Sequence, residues 1–349
     1  MESKPAPGRG ENGKSKEFGD IFTDKRLKRT RARLIRVLRD SGNKDLAKTA
    51  DAIERCGTWP AALKVSPDGC GGFYRNQCRE RLCPVCATLK GARHRAALVG
   101  VIDERMVLGF RFTLLTLTFP HTSNDKLKDL LRILFKALAL FRKTAFFKKH
   151  IRGWARGVEI TRKDNGFHPH AHFIVEAGFL NIDALHAAWR KCVVKAGGRA
   201  PTREGVDVKR LQEKRVKDGK GLNEAIGYPF KVSSLAKWPD SCIVELAEAT
   251  KRRHMYQACR KWSRRMKERE EELEALLLGD SGSEIILFRD FLEDLRQGDT
   301  EAQGMALSVL QLLASADGLE DAVQLLFDAM PEGLRRLWSA PSDVTLCHA

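Results

Sequence analysis

The apolar positions of this chain recur with two different periods, and the change of period marks its elements. Phe112 to Phe119 (FTLLTLTF) is rich in Thr, Leu and Phe and predicts a strand. From Asp125 to Lys149 the stripe Leu127, Leu131, Leu134, Leu138, Phe141 and Ala145 advances in steps of three and four. That period predicts one long helix, with Lys128, Arg132, Lys136 and Lys143 off the stripe. Trp154 to Thr161 and Phe167 to Val175 read as strands around Lys163-Asp164-Asn165-Gly166, a hairpin turn. Ile182 to Ala196 predicts a helix stopped by Gly197-Gly198, and Val206 to Leu211 a short strand. Leu222 to about Val232 and Ile243 to Leu278 read as helices. Further on, Ile285, Phe288, Leu292 and Leu295 fit one helix face. Upstream, residues 24–55 read as helical, and 56–90 is rich in Cys and Gly. Strands paired as hairpins, with helices crossing between them, predict an α+β fold: a central, mainly antiparallel sheet with flanking helices.

Charge adds a direction to this plan. The chain has 349 residues, enough for two or three domains. From Glu268 onward there are 18 acidic and 5 basic residues, whereas residues 1–267 carry a net charge of +30. A basic body with an acidic end suits an anionic polymer. The stretch 25–37 and the loop Lys209 to Lys220 are phosphate-contact candidates. No apolar run approaches the roughly 18 residues of a spanning helix. Met1 to Lys16 has no apolar core of the signal-peptide kind, which predicts a cytoplasmic protein with no membrane partner. Residues 1–20 read as disordered.

Two clusters carry chemistry. His168, His170 and His172 alternate, so on a strand they share one face, as a divalent metal requires. A two-residue turn at Asp164-Asn165 or at Asn165-Gly166 sets Glu159 opposite His170 or His172, within reach of a shared metal. His168 lies nearer the turn and is a candidate substrate contact. The second cluster, Cys70-x7-Cys78-x4-Cys83-x2-Cys86, supplies four thiolates for a structural zinc, with Cys56 or His94 as substitutes for one ligand. Arg75, Arg79 and Arg81 interleave these cysteines and suggest a platform that touches phosphates.

In this order and spacing, Leu115-Thr116-Leu117-Thr118, then His168-Pro169-His170-Ala171-His172, then Tyr228-x-x-Lys231 resemble the motifs of the rolling-circle replication initiators of bacterial plasmids. These are single-tyrosine members of the HUH endonuclease superfamily, and the cysteine segment belongs to the same pattern. The resemblance covers roughly residues 50–235. It implies that His170 and His172 hold Mg²⁺ or Mn²⁺; Glu159 is offered as the third ligand by the hairpin register, not by the resemblance. It implies that Tyr228 attacks a phosphodiester of plasmid origin DNA, leaving a 5′-phosphotyrosine and a free 3′ hydroxyl. Glu224, one helical turn before Tyr228, would activate water at termination; Lys231 would contact substrate. Pro229 departs from the family pattern and disfavours helical geometry at Tyr228.

The implied architecture is a 21–100 basic helical segment and zinc module, a 101–270 HUH nuclease core and a 283–345 acidic helical region. Host helicase or polymerase and a second copy of the chain are the further candidate partners. A transposase or relaxase of a mobile element would use the same core, and a non-catalytic zinc-containing regulator would need only the cysteines.

Overall fold

The computed structural model describes residues 21–22, 24–66, 69–211, 233–278, 284–332 and 334–335. The expected disordered terminus and the expected helix at Leu222 to Val232 lie outside these residues.

The described residues open with a strongly basic helix, α1 (Lys25–Asp40), and a second of mixed charge, α2 (Lys44–Glu54), where the pattern predicts one. Gly42, at φ 71°, turns the chain between them, and Asn43 caps α2 by accepting from the backbone N–H groups of Asp45 and Leu46. A hairpin follows, β1 (Pro60–Ser66) and β2 (Gly69–Arg75). Next comes α3 (Pro84–Val107), a helix that the sequence reading does not anticipate. Its buried residues spread around the axis rather than forming one stripe, because different parts of it pack in two different cores.

The central sheet is built from β3 (Phe112–Leu117), β4 (Gly153–Lys163), β5 (Gly166–Glu176), β6 (Val206–Arg210) and β7 (Tyr256–Ala258). Its order is β6-β3-β5-β4-β7 and every pairing is antiparallel. Between the strands run α4 (Leu127–Phe141), α5 (Ala145–His150), α6 (Ile182–Ala196) and α7 (Asp240–Thr250), and α8 (Arg260–Leu278) follows the last of them.

Two long helices of the sequence reading are therefore corrected. The 125–149 helix breaks after Phe141, where the Thr144 hydroxyl accepts from Phe147 N at 3.1 Å and starts α5. The 243–278 helix breaks at Lys251–Met255, where Arg252 takes a left-handed φ of 59° and the chain adds β7 to the sheet edge. Periodicity does not register the first break, since apolar spacing continues from Phe141 to Ala145; the second falls on the charged run Lys251 to His254.

Strand alternation gives the sheet two unlike faces. On one, Leu115, Leu117, Val158, Phe173 and Val175 pack in a core with Leu131, Leu134 and Leu138 of α4 and Trp189 of α6. On the other, Phe112, Leu114, Ala155 and Ile174 are covered by α3 and α8 through Leu98, Val101, Trp262 and Met266. Farther along that second face the residues become polar: Thr116, Glu159, His170 and His172.

The acidic end folds back on the cysteine-rich hairpin. Strand β8 (Glu284–Leu287) pairs with β1 to give a sheet of order β2-β1-β8. Helices α9 (Phe288–Gln297), α10 (Thr300–Ala314) and α11 (Glu320–Ala329) form a core with Leu63 and Val65 of β1. Ile285, placed on a helix face by its spacing, is on this strand and exposed; Phe288, Phe291, Leu292 and Leu295 make the buried face of α9. Among the described residues no helix is long and apolar enough to cross a membrane.

The β4–β5 turn sets the register of the site. Lys163 pairs with Gly166, so Asp164-Asn165 is the two-residue loop. Neither loop residue has positive φ; Gly166, at φ 95°, supplies the left-handed step. A Cβ on Gly166 would lie 2.9 Å from Ser123 Cα and 3.2 Å from Thr122 O. Gly166→Ala is expected to destabilise the protein by about 1–3 kcal/mol through backbone strain and this contact, measured as a lower midpoint in urea unfolding.

Candidate metal centres

Pairing along β4 and β5 places Glu159 directly opposite His170, and Gly157 opposite His172. With no side chain at Gly157, the Glu159 carboxylate reaches both rings. Its Oε2 lies 2.9 Å from His170 Nε2 and 3.3 Å from His172 Nε2. The other ring nitrogens are engaged. His170 Nδ1 faces the His168 carbonyl at 3.1 Å and can only donate to it. That leaves a neutral His170 with a lone pair on Nε2, pointed at an oxygen that also carries lone pairs. The contact is favourable only with a cation between or a proton on the ring. His172 Nδ1 lies 3.0 Å from the Thr116 hydroxyl, which orients the ring.

Burial would raise the Glu159 carboxyl, but hydrogen bonds from His170 and His172 outweigh it and hold the group at about 2. The three donor atoms lie within 4.8 Å of one another, and one carboxylate with two imidazoles is a donor set for a divalent metal. The chemistry of the residues thus fits the expected ion.

His168 stands outside this trio. Its Nδ1 lies 2.8 Å from His121 Nε2, and its Nε2 is 3.4 Å from the Thr118 hydroxyl. Desolvation, aided by the neighbouring His170 and His121, lowers its pKa to about 4, so it is neutral near pH 7. Three side chains at this site, Thr116, Thr118 and His121, have no role assigned in the sequence reading. The threonines were legible as a motif on β3, and only pairing with β5 gives them their partners. His121 carried no signal beyond proximity to that motif.

The second centre corrects the zinc assignment. Cys56, Cys78, Cys83 and Cys86 converge, all four sulfurs within 4.8 Å of one another, and Cys70 is not among them. Cys56 Sγ and Cys78 Sγ lie 3.5 and 3.7 Å from Cys86 Sγ. These approach the edge of about 3.8 Å expected for a tetrahedron with Zn–S bonds of about 2.3 Å. Hydrogen bonds from Cys78, Cys83 and Cys86 hold the Cys56 thiol well below its ordinary value, while the same crowding pushes Cys83 up.

The hairpin explains the exchange of ligand. Pro60 pairs with Arg75, so the chain positions flanking the hairpin, Cys56 and Cys78, meet at its base. Asn76 closes it, donating from Nδ2 to Arg55 O at 2.7 Å and accepting from Trp59 N at 3.0 Å. Cys70 lies beside the other end of the hairpin, paired with Val65, and burial pushes its thiol up. His94 is not a ligand either: it bonds Glu270 at 2.8 Å and stacks on Tyr256.

Tyr228, Glu224 and Lys231 lie outside the described residues. Of the other tyrosines, Tyr256 is tucked against α8 with its hydroxyl 3.2 Å from Met266 Sδ, and burial pushes its phenol up, a poor setting for a nucleophile. Tyr74 is on β2, in the other sheet. The basic stretch 25–37 is partly committed to the fold: Arg31 donates to Ile53 O and Glu54 O, and Arg33 to Trp238 O and Asp240.

The α+β chain thus brings an antiparallel sheet together with two donor groups of the kind that can hold metal ions, a carboxylate with two imidazoles and four cysteines, and comparison gives the family. A family model described as "Replication protein" matches residues 73–284, more than half of the chain, and the chain belongs to that family. "Protein rep" of Lentilactobacillus hilgardii is 30% identical over 161 residues, 42% of this chain and 50% of that protein. "Protein rep" of a Bacillus species is 26% identical over 208 residues, 55% of this chain and 66% of that one. For "Protein rep" of Bacillus amyloliquefaciens the figures are 24%, 58% and 63%. The chain thus spans half to two thirds of the length of these relatives. No solved structure matches it. The resemblance to plasmid replication initiators is borne out by this family membership.

Two measurements check the centres. Cys56→Ser should lower the zinc content of purified protein from one equivalent, whereas Cys70→Ser should retain it, read by elemental mass spectrometry. Thr116→Val should weaken Mn²⁺ binding about tenfold or more by freeing the His172 ring, read by calorimetry.

Proposed function

We propose that this protein is a single-tyrosine HUH nickase and strand transferase that initiates rolling-circle replication of a bacterial plasmid. The observation that carries the reading is the convergence of Glu159, His170 and His172 on one sheet face, on strands bearing the replication-initiator motifs. Membership of the replication protein family favours an initiator over a transposase or relaxase.

In this reading Glu159, His170 and His172 hold Mg²⁺ or Mn²⁺, which supplies Lewis-acid polarisation of a phosphoryl oxygen. Tyr228 forms a bond from its phenolic oxygen to the scissile phosphorus as the bond to the 3′ oxygen breaks. The 3′ oxygen leaves as a hydroxyl that primes synthesis, and the 5′ phosphate stays on Tyr228. Glu224 takes the proton from water at termination, so a second cleavage can end on a free 5′ phosphate. His168, neutral and tied to His121, offers a hydrogen bond to a substrate phosphate, and Lys231 a positive charge. The cysteine cluster holds Zn²⁺ in a structural role.

Incubation with supercoiled plasmid bearing the origin and Mn²⁺ should give a covalent protein–DNA adduct, and mass spectrometry should find the nucleotide on Tyr228. Tyr228→Phe should abolish the adduct; an undiminished adduct would remove Tyr228 as nucleophile. Glu224→Gln should leave initial cleavage intact and let the adduct accumulate after replication; normal release of free product would remove the glutamate from termination.

A further inference from the structure

The sheet end opposite the histidines carries a cleft of about 440 Å³. It is bounded by three loops: Gly109 to Arg111 before β3, Lys149 to Arg152 before β4, and Glu176 to Phe179 after β5. Backbone hydrogen bonds lace these loops, from Arg152 N to Glu176 O at 3.0 Å and from Ala177 N to Arg111 O at 3.1 Å. The cleft is thus built into the sheet rather than formed by mobile side chains.

Its chemistry is one-sided. Arg111, Lys149 and Arg152 are exposed around it, with His150 beside them. The one carboxylate in the lining, Glu176, is buried and already neutralised by Arg105, whose Nη2 lies 2.7 Å from Oε1. Arg105 also covers the Phe110 ring at 4.3 Å. Phe179 at the rim is different: it is 86% exposed, an unusual state for so large an apolar side chain. Cations that can follow a phosphate chain, beside a bare aromatic face, match a strand whose bases are unpaired. A duplex offers such a surface its phosphates but keeps its base faces stacked.

We propose that this cleft is a second binding site for single-stranded DNA, with phosphates on Arg111, Lys149 and Arg152 and an unpaired base stacked on Phe179. The inference rests on the reading of the protein as a DNA-processing enzyme. The cleft opens at Glu176, the end of β5, six residues from His170, about 20 Å at the rise of an antiparallel strand. A strand opened at the histidine face would thereby be held at both ends of the sheet.

The test is fluorescence anisotropy of the full, zinc-loaded chain with labelled oligo(dT) of 10 and 30 nucleotides, in buffer without added Mg²⁺ or Mn²⁺ and without chelator, which would strip a structural zinc. Without Mg²⁺ or Mn²⁺ the result does not depend on whether Tyr228 attacks DNA, so it can stand or fall apart from the nicking reading. Phe179→Ala should weaken binding of the 30-mer about tenfold, the loss of one stacked base. Phe179 is exposed, so the fold should survive, as a thermal melt would show. The pair Lys149→Gln and Arg152→Gln should reduce the slope of log K against log salt by about 1.4, two phosphate contacts on a single strand. Gly178→Glu places a carboxylate in the cleft where an added Cβ meets no atom within 4 Å, and should weaken the 30-mer further. Lys136→Gln, a neutralisation of an exposed lysine on α4, should leave the slope less changed. Unchanged affinity in Phe179→Ala overturns the proposal. So does an equal loss on duplex of the same length, which would make the cleft a general phosphate contact, or capture by anionic phosphatidylglycerol vesicles that oligo(dT) fails to compete away, which would make it a lipid surface.

Discussion

Eleven consecutive residue pairs join β4 to β5, and a loop of two residues leaves their register no freedom. A slip of one residue would turn His170 and His172 into the apolar core and bring Phe173 out to the polar face. It would also leave the half-buried Glu159 carboxylate without its partners. The same pairing continues outward. β3 lies on the other side of β5, so Thr116 meets His172 and Thr118 meets His168. Gly166 satisfies the one left-handed step that this tight reversal demands.

The two helices over the site's own face complete the arrangement by stopping short of it. α3 and α8 cover Phe112, Leu114, Ala155 and Ile174, and their packing ends where the side chains become polar. They are tied to each other by Glu104, which receives Arg265 at 2.6 Å and also pairs with Arg269. One sheet face is thereby half hydrophobic floor and half donor array. Such a partly buried array is worth its desolvation only when its lone pairs have partners, and a cation shared by Glu159, His170 and His172 would supply them.

The cysteine centre joins parts far apart in the chain. Its loop donates from Arg81 Nη2 to Arg253 O at 2.6 Å, the segment that leads into β7. Its hairpin shares a core with the acidic helices, and Arg75 Nη1 donates to Asp317 O at 2.8 Å. The acidic region is therefore packed on the hairpin of the cysteine module, and a site change in one would be felt in the other.

Local patterns carried much of this. Three alternating histidines, a turn of Asp-Asn-Gly and a glutamate seven residues before the turn's glycine gave the metal face, because strand period and hairpin register are local properties. The Leu-Thr-Leu-Thr strand and the Tyr-x-x-Lys gave the family. What remained illegible depended on contacts between distant segments. Apolar spacing continues from Phe141 to Ala145 across the end of α4, so that break is set by capping at Thr144, whereas the break after Thr250 falls at the polar run Lys251 to His254, where the sheet edge accepts a strand. Cys70 is the nearer neighbour in sequence, yet Cys56 joins the cluster because the hairpin that carries Cys70 folds its two ends, beside Cys56 and Cys78, together. His121 gains its meaning only from His168, 47 residues on. The amino-acid sequence by itself determined the strand faces and the chemistry available on them. The tertiary structure alone decided which donors meet, because pairing and packing, not nearness along the chain, bring atoms within bonding distance.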